Sequence, residues 1–230
     1  GPPGKAIYTQ LCNERGCIEA DVTLIHDAPE HFYLVTGSGF GVRDANWVAS
    51  HLPPAVSLRE VTNSLAVINL CGPRARDILQ AVTDDDVANA AFPFLAARRI
   101  GIGCATALAV RIGYVGELGY ELYVPVEQAL HVYERLVDAG SPLGLRHAGL
   151  KALASLRMEK GYRDYGHDID NTDDPLMAGF GFAIAWDKPG GFVGRDALLP
   201  RRGVTPEHRL VSVLCLDPEP LMYHAEVLRR

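Results

Sequence analysis

No segment of the 230-residue chain approaches the ~20 consecutive apolar residues of a helical membrane span, so no membrane partner is expected. Basic clusters are also missing. The only runs are Arg98-Arg99, Arg201-Arg202 and Arg229-Arg230, and 22 Lys and Arg stand against 28 Asp and Glu. A protein that binds the phosphate backbone needs a basic patch, so nucleic acid is not an expected partner. The five cysteines are odd in number and form no C-x-x-C pair, which predicts reduced thiols in a reducing compartment rather than a disulfide or zinc framework. No basic stretch followed by an apolar one marks a secretory signal. The eight histidines contain no H-x-x-x-H pair, so no metal site is expected, and no G-x-S-x-G elbow offers a nucleophile. Chemistry that uses neither metal nor nucleophile must rest on a positioned cofactor and one or two carboxylates.

What is present is a chain that is 48% hydrophobic and 22% charged, enough apolar material for one large domain or two small ones. Strand and helix patterns alternate without repeats. Residues 7–12, 18–26 and 32–35 read as an antiparallel meander, with the turn Asn13-Glu14-Arg15-Gly16 between the first two. Residues 41–52 read as a helix with Trp47, Val48 and Leu52 inward, followed by an apolar strand over 65–70. Gly72-Pro73 starts a helix whose stripe is Ile78, Leu79 and Val82. Residues 105–112 and 120–124 read as a hairpin around Gly113-Tyr114-Val115-Gly116-Glu117-Leu118-Gly119. Helices are expected over 126–138, ended by Gly140, and over 148–160 with Leu150, Leu153 and Leu156 on one side. Residues 210–216 look like a strand that begins something else. The pattern predicts an α+β fold with largely antiparallel sheets and packed helices.

Two motifs invite chemistry and fail on spacing. Gly37-Ser38-Gly39-Phe40-Gly41 follows a strand and opens a helix, but it is one residue short of a dinucleotide fingerprint and sits among antiparallel strands. Asp168, Asp170, Asp173 and Asp174 begin like a calcium loop, yet Asp173 stands where Gly is needed and Gly179 where Glu is needed. Two carboxylates remain. Asp21 shares one strand face with Glu19 and Thr23, a face that alternation alone would assign to solvent. Glu121 is flanked by Tyr120, Leu122 and Tyr123, with Tyr114 in the loop before it. A carboxylate among aromatic rings suits a flat heteroaromatic ligand, because its oxygens accept parallel N–H donors while a ring stacks alongside.

Several of these stretches together resemble the folate-binding family of the glycine-cleavage T-protein, or aminomethyltransferase. They are Gly4-Lys5-Ala6-Ile7-Tyr8, Asn13-Glu14-Arg15-Gly16 with Asp21 behind it, Gly72-Pro73, the segment from Gly113 to Glu121, Arg157-Met158-Glu159-Lys160-Gly161-Tyr162, and Phe192-Val193-Gly194-Arg195-Asp196-Ala197-Leu198. Leu156 to Tyr162 and Ala91-Phe92-Pro93-Phe94 are most similar to the folate module of dimethylglycine and sarcosine dehydrogenases. The resemblance implies a three-lobed cloverleaf around tetrahydrofolate, here incomplete at both ends. It divides the chain into a folate-binding region over 1–205 and the start of a truncated C-terminal β-barrel over 206–230.

By matching position the resemblance assigns Asp21 to the essential aspartate beside the reactive folate nitrogens and Glu121 to the acid that grips the pterin. Tyr8, Tyr114 and Tyr162 become aromatic contacts to the folate. The implied activity is tetrahydrofolate-dependent one-carbon transfer from an amine-derived donor, giving 5,10-methylenetetrahydrofolate. Its partners would be a lipoyl carrier protein or a flavin dehydrogenase domain, with FAD only where such a domain lies upstream. The implied location is the cytoplasm, or the mitochondrial matrix in a eukaryote. Three departures separate the chain from the T-protein itself: Gly16-Cys17 for Gly-Gly, Ala20-Asp21 for Asp-Asp, and Leu153 where an arginine meets the folate tail. Two alternatives stand beside this: a non-catalytic regulatory subunit of the kind found in pyruvate dehydrogenase phosphatase, and a folate-dependent O-demethylase.

Overall fold

The computed structural model describes residues 1–217, 219–222 and 226–227; His224, Arg229 and Arg230 lie outside them. The chain opens with β1 (Lys5–Cys12), β2 (Ile18–Ala28) and β3 (His31–Val35), which form a three-stranded antiparallel sheet in the order β1-β2-β3. The expected meander is observed. Helix α1 (Gly41–His51) follows, then β4 (Leu65–Cys71), the short helix α2 (Ala75–Gln80), β5 (Ala97–Ile102), β6 (Ala105–Val110) and β7 (Gly119–Pro125). These four strands make a second antiparallel sheet in the order β4-β7-β6-β5. Helices α3 (Ala129–Gly140), α4 (Leu150–Glu159) and α5 (Arg195–Leu198) complete the regular structure.

Three apolar clusters hold these elements. The largest lies where α2 and α3 cover the four-stranded sheet: Ile78, Leu79, Val132 and Leu136 meet Tyr120, Leu122 and Val124, with Phe92 packed on Tyr120 at a centroid distance of 5.5 Å. A second cluster joins the two sheets through Ala6, Ile25, Leu108, Val110 and Tyr123. The third, Ile18 with Ile169, Ala178 and Phe180, fastens the segment 162–183 against the first sheet, where Ile18 N–H donates to Asp173 O at 2.8 Å. Burial of this apolar surface is the main force keeping the sheets in register with one another.

The structure departs from the sequence pattern in four places. Strand β5 was hidden because Arg98, Arg99 and Gly101 interrupt its apolar residues, although Ala97, Ile100 and Ile102 are buried. Helix α1 turns Asp44 inward as its buried residue, whereas Trp47, Val48 and Leu52 are only half-buried. Helix α4 buries Arg157 and leaves Leu150 and Leu156 exposed, so its apolar spacing does not mark a core face here. Residues 210–216 form neither strand nor helix and are tied back by Leu210 N–H donating to Met177 O at 3.0 Å.

The turn before β2 is fixed by side chain and backbone together. Asn13 Oδ1 accepts from the N–H groups of Arg15 and Cys17 at 3.0 and 3.1 Å, and Asn13 Nδ2 donates to Glu19 Oε1 at 2.7 Å. An asparagine that closes its own turn in this way sets the register of the strand that follows. Gly194, at φ +85°, packs its bare Cα on that turn: a Cβ there would lie 2.4 Å from Asn13 O and 2.9 Å from Gly16 Cα. Gly194→Ala combines a left-handed backbone with a backbone clash, and it should cost at least ~2 kcal/mol of unfolding free energy, read from denaturant midpoints. A variant as stable as the parent would show that the turn and α5 are not in contact.

Candidate functional site

Asp21 sits opposite Gln10 in the β1–β2 ladder, and Tyr8 lies two residues from Gln10 on the same strand. Period-two alternation puts Tyr8, Gln10, Glu19 and Asp21 on one face of the sheet. That face is not open to solvent as alternation suggested; the segment 162–183 lies across it. Between them is a cavity of about 200 Å³. Asp21 enters it from β2, Thr36 and Gly37 from the end of β3, Phe40 and Asp44 from the start of α1, Tyr114 from the β6–β7 connection, and Arg163, Asp164 and Tyr165 from the covering segment.

Burial pushes the Asp21 carboxyl up to about 6, because charge is costly away from water. The Tyr8 hydroxyl and the Gln10 amide approach and pull it down, and the charge of Asp164 pushes it up further. Neither Asp21 Oδ1 nor Gln10 Nε2 completes a hydrogen bond among the described residues, so burial prevails. A buried polar atom without a partner costs roughly 1–3 kcal/mol and is an invitation to a polar ligand. The Tyr8 hydroxyl is held far above its ordinary range, by burial first and by the Asp21 charge second. It therefore stays a protonated donor beside the carboxylate.

The walls are tied by a polar network. Arg43 Nη2 donates to Glu19 Oε2 and to the Tyr165 hydroxyl oxygen, each at 2.8 Å, and Nη1 reaches Asp44 Oδ1 at 3.4 Å. The Thr36 hydroxyl donates to Asp44 Oδ2. Phe40 meets Tyr165 edge-on at 5.3 Å. Tyr114 donates its hydroxyl proton to Arg163 O and stacks on Tyr162, with centroids 5.9 Å apart and planes 12° from parallel. Buried Arg157 donates to Asp168 Oδ2 and, at 3.1 Å, to Tyr162 O, which fixes the loop that carries Tyr162.

The sequence-predicted residues are thus partly gathered. Asp21 and Tyr114 line the cavity, Tyr8 touches Asp21, and Tyr162 backs Tyr114. Glu121 does not line it. Its carboxylate accepts the Tyr123 hydroxyl at 2.6 Å on the face of β7 that looks toward the first sheet, and burial raises its pKa. Among the residues that sequence reasoning passed over, Thr36, Gly37, Phe40 and Asp44 belong to or flank the glycine motif dismissed as a dinucleotide site. Arg163, Asp164 and Tyr165 directly follow the motif ending at Tyr162, a position that could have flagged them. No group of three or more His, Cys, Asp or Glu side chains among the described residues is arranged to hold a metal ion.

Residues 1–188 match the sequence model of the GCVT N-terminal domain. The chain is 40% identical over 225 residues to the 4-methylaminobutanoate oxidase (formaldehyde-forming) of Paenarthrobacter nicotinovorans, covering 97% of itself and 27% of that protein. It is 34% identical over 218 residues to the mitochondrial dimethylglycine dehydrogenase of Rattus norvegicus, covering 92% of itself and 25% of that protein. Against an aminomethyltransferase of Thermoanaerobacter sp. (strain X514) the identity is 33%, with 93% of this chain and 58% of that one covered. The crystal structure of the glycine cleavage system aminomethyltransferase T from Bartonella henselae superposes with a TM-score of 0.75 at 25% identity, over 89% of this chain and 55% of that one. The chain therefore spans about a quarter of the length of the first two relatives and somewhat over half of the others.

The raised carboxyl has a defined consequence for stability. Between the ordinary value of 3.8 and about 6, folded Asp21 keeps a proton that the unfolded chain has released. Its contribution to stability is fully present below 3.8 and is lost as pH rises through about 6. Asp21→Asn removes that loss, so the variant should gain stability relative to the parent across this window, measured as denaturant midpoints at stepped pH. A difference that does not change with pH would mean that the carboxyl is solvated.

Proposed function

This chain belongs to the family of the GCVT N-terminal domain, and from that premise we propose that it performs tetrahydrofolate-dependent one-carbon transfer at the cavity beside Asp21. The observation that carries this reading is the buried, unpartnered oxygen of Asp21 facing an aromatic-walled space. Asp21 Oδ1, unpartnered in the cavity with Tyr114 and Phe40, suits the polar edge and flat face of a nitrogen-rich heterocycle, and Gln10 Nε2 is a second unpartnered atom across the β1–β2 ladder from Asp21. About 200 Å³ accommodates the reacting end of such a molecule rather than all of it. When bound, tetrahydrofolate supplies amine nitrogens that take up a one-carbon unit, giving 5,10-methylenetetrahydrofolate.

The residues of this chain divide the work. Asp21, with its pKa raised toward neutrality, accepts a proton at its carboxylate oxygen from an attacking amine and offsets positive charge that develops there. Tyr8, kept protonated, orients that carboxylate. Tyr114, fixed by its hydroxyl on Arg163 O and by its stack on Tyr162, supplies a ring face and excludes water. Glu121 is proposed as the anchor of the pterin, the role that its match to the family pattern implies.

The relatives named as an oxidase and a dehydrogenase support a donor made by oxidising an N-methyl amine in a part of the protein outside this chain, where FAD would reside. A lipoyl carrier is the corresponding partner of an aminomethyltransferase. We assign residues 1–205 to the folate-binding region and 206–230 to the beginning of a further domain. The cytoplasm or the mitochondrial matrix is the proposed location.

Asp21→Asn should keep tetrahydrofolate affinity while lowering the transfer rate by ~10²-fold or more, the usual worth of a positioned acid–base group. Glu121→Ala should weaken affinity by about tenfold or more, as expected when a charge-assisted contact is lost. Calorimetric titration of both variants with tetrahydrofolate, beside a transfer assay, tests the pair of assignments. A fully active Asp21→Asn removes Asp21 from the chemistry, and unchanged binding in Glu121→Ala removes Glu121 from the site.

A further inference from the structure

Gln10 has a buried polar end that the chemistry assigned to Asp21 leaves unused. It stands directly opposite Asp21 in the β1–β2 ladder, and residues so paired have Cβ atoms about 5 Å apart. Gln10 Nε2 and Asp21 Oδ1 are each buried without a hydrogen-bond partner among the described residues. A donor and an acceptor left open across one rung of the ladder cost roughly 1–3 kcal/mol apiece unless something closes them. Glu19, the other carboxylate on this face, is taken by Asn13 and Arg43. The Gln10 amide instead approaches the Asp21 carboxyl and the Tyr8 oxygen.

The other charged and titratable groups around Asp21 are Tyr8 on β1, Asp44 on α1, Tyr114 on the β6–β7 connection, and Arg163, Asp164 and Tyr165 on the covering segment. Arg163 is spent on Ala178 O and Gly161 O, at 2.9 and 2.6 Å, and Asp44 on Thr36 and Arg43. The hydroxyls of Tyr114 and Tyr165 donate to Arg163 O and Ile18 O, and Asp164 is of like sign to Asp21. We propose that Gln10 is a positioning residue for Asp21: when the carboxyl ionises, the Gln10 amide N–H closes on Oδ1 and holds the carboxylate aimed into the cavity. A carboxylate oxygen has two lone pairs, so this contact leaves one on Oδ1 for the ligand. The amide is suited because it donates without charge. An arginine there would hold Asp21 ionised, and an apolar side chain would leave the ionised form without its inner partner. As the carboxylate takes its proton from the attacking amine, an O–H bond forms at Asp21 and an N–H bond of the amine breaks, while Gln10 gains and loses no proton. The inference rests on the proposed function for what Asp21 does, not for its contact with Gln10.

Gln10→Met replaces the amide by an unbranched apolar group of similar length, and Gln10→Leu is a second variant without a donor. In the parent, the contribution of Asp21 to stability falls as pH rises from 3.8 to about 6. Losing a hydrogen bond that favours the carboxylate should carry that fall about one pH unit higher in either variant, read as denaturant midpoints of the full chain at stepped pH. The shift should vanish when either substitution is combined with Asp21→Asn. In a transfer assay, the rising limb of rate against pH should move up by about the same amount, with KM for tetrahydrofolate within about twofold of the parent. A pH dependence equal to the parent's, or a shift that persists without the Asp21 carboxyl, overturns the proposal, as does a stability shift that the rate profile of an active enzyme does not follow. A stability shift in a chain that shows no transfer at all supports the contact of Gln10 with Asp21 and refutes the proposed function.

Discussion

The guanidinium of Arg43 is the tie on which the arrangement of the site depends. From the first turns of α1 it reaches Glu19 on β2, Asp44 on its own helix and Tyr165 on the covering segment. Through Asp44 it also holds Thr36 at the end of β3. Three stretches far apart in sequence are therefore fixed by one planar group with several donors, a geometry that a lysine could not reproduce. Glu19 is in turn held by Asn13, so the turn before β2, the strand that carries Asp21 and the wall formed by Tyr165 share one chain of hydrogen bonds. Such a network is valuable for orientation more than for stability, since each buried charge in it was taken from water at a cost.

Asp21 lies beside that network yet outside it. Had it been paired with an arginine its carboxyl would sit well below the ordinary range; left with Tyr8 and Gln10 at its side, it is held up to about 6. The difference is chemical. A fully paired carboxylate is a strut, whereas an underpaired one in a cavity is a base that still responds to a proton. The fold spends its arginines on Glu19, Asp44 and Asp168 and withholds them from Asp21.

Much of the fold was legible in the sequence because its strands obey simple alternation. The three-strand meander and the β6–β7 hairpin follow from period-two patterns broken by Asn13-Glu14-Arg15-Gly16 and by the glycine-spaced loop. What failed were the elements whose neighbours decide their character. In β5, two arginines interrupt the apolar run, Arg98 reaching over the Phe92 ring and Arg99 to Asp27; in α1 a buried aspartate takes the place of the apolar stripe; in α4 Leu150 and Leu156 are exposed. Residues 210–216 have strand-like composition but no strand beside them to pair with in the described chain. The same divide runs through the site. Of the residues singled out by strand position and by resemblance, Asp21 and Tyr114 line one cavity with Tyr8 against Asp21, whereas Glu121 sits on a different sheet and outside that cavity. Alternation locates a face; it does not say which segment will come to lie across it.

The glycine motif at 37–41 shows how a turn set aside for one ligand can still help to build a cavity. Its spacing is one residue short of a dinucleotide loop, and the strand before it lies in an antiparallel sheet. The motif nevertheless makes the chain turn from β3 into α1 within a few residues, and that turn delivers Thr36, Gly37, Phe40 and Asp44 to one cavity. Close approach is required on the other side too: Gly166, at φ +93°, faces Phe40, where a Cβ would lie 2.7 Å from the ring carbon Cζ. Phe40 can then meet Tyr165 edge-on and close the wall. Glycine at 166 is explained by packing against a residue more than a hundred positions away, a contact that no local motif encodes. Much of the cavity's wall accordingly comes from side chains that the sequence presents as a decoy turn and as the residues just beyond a recognised motif.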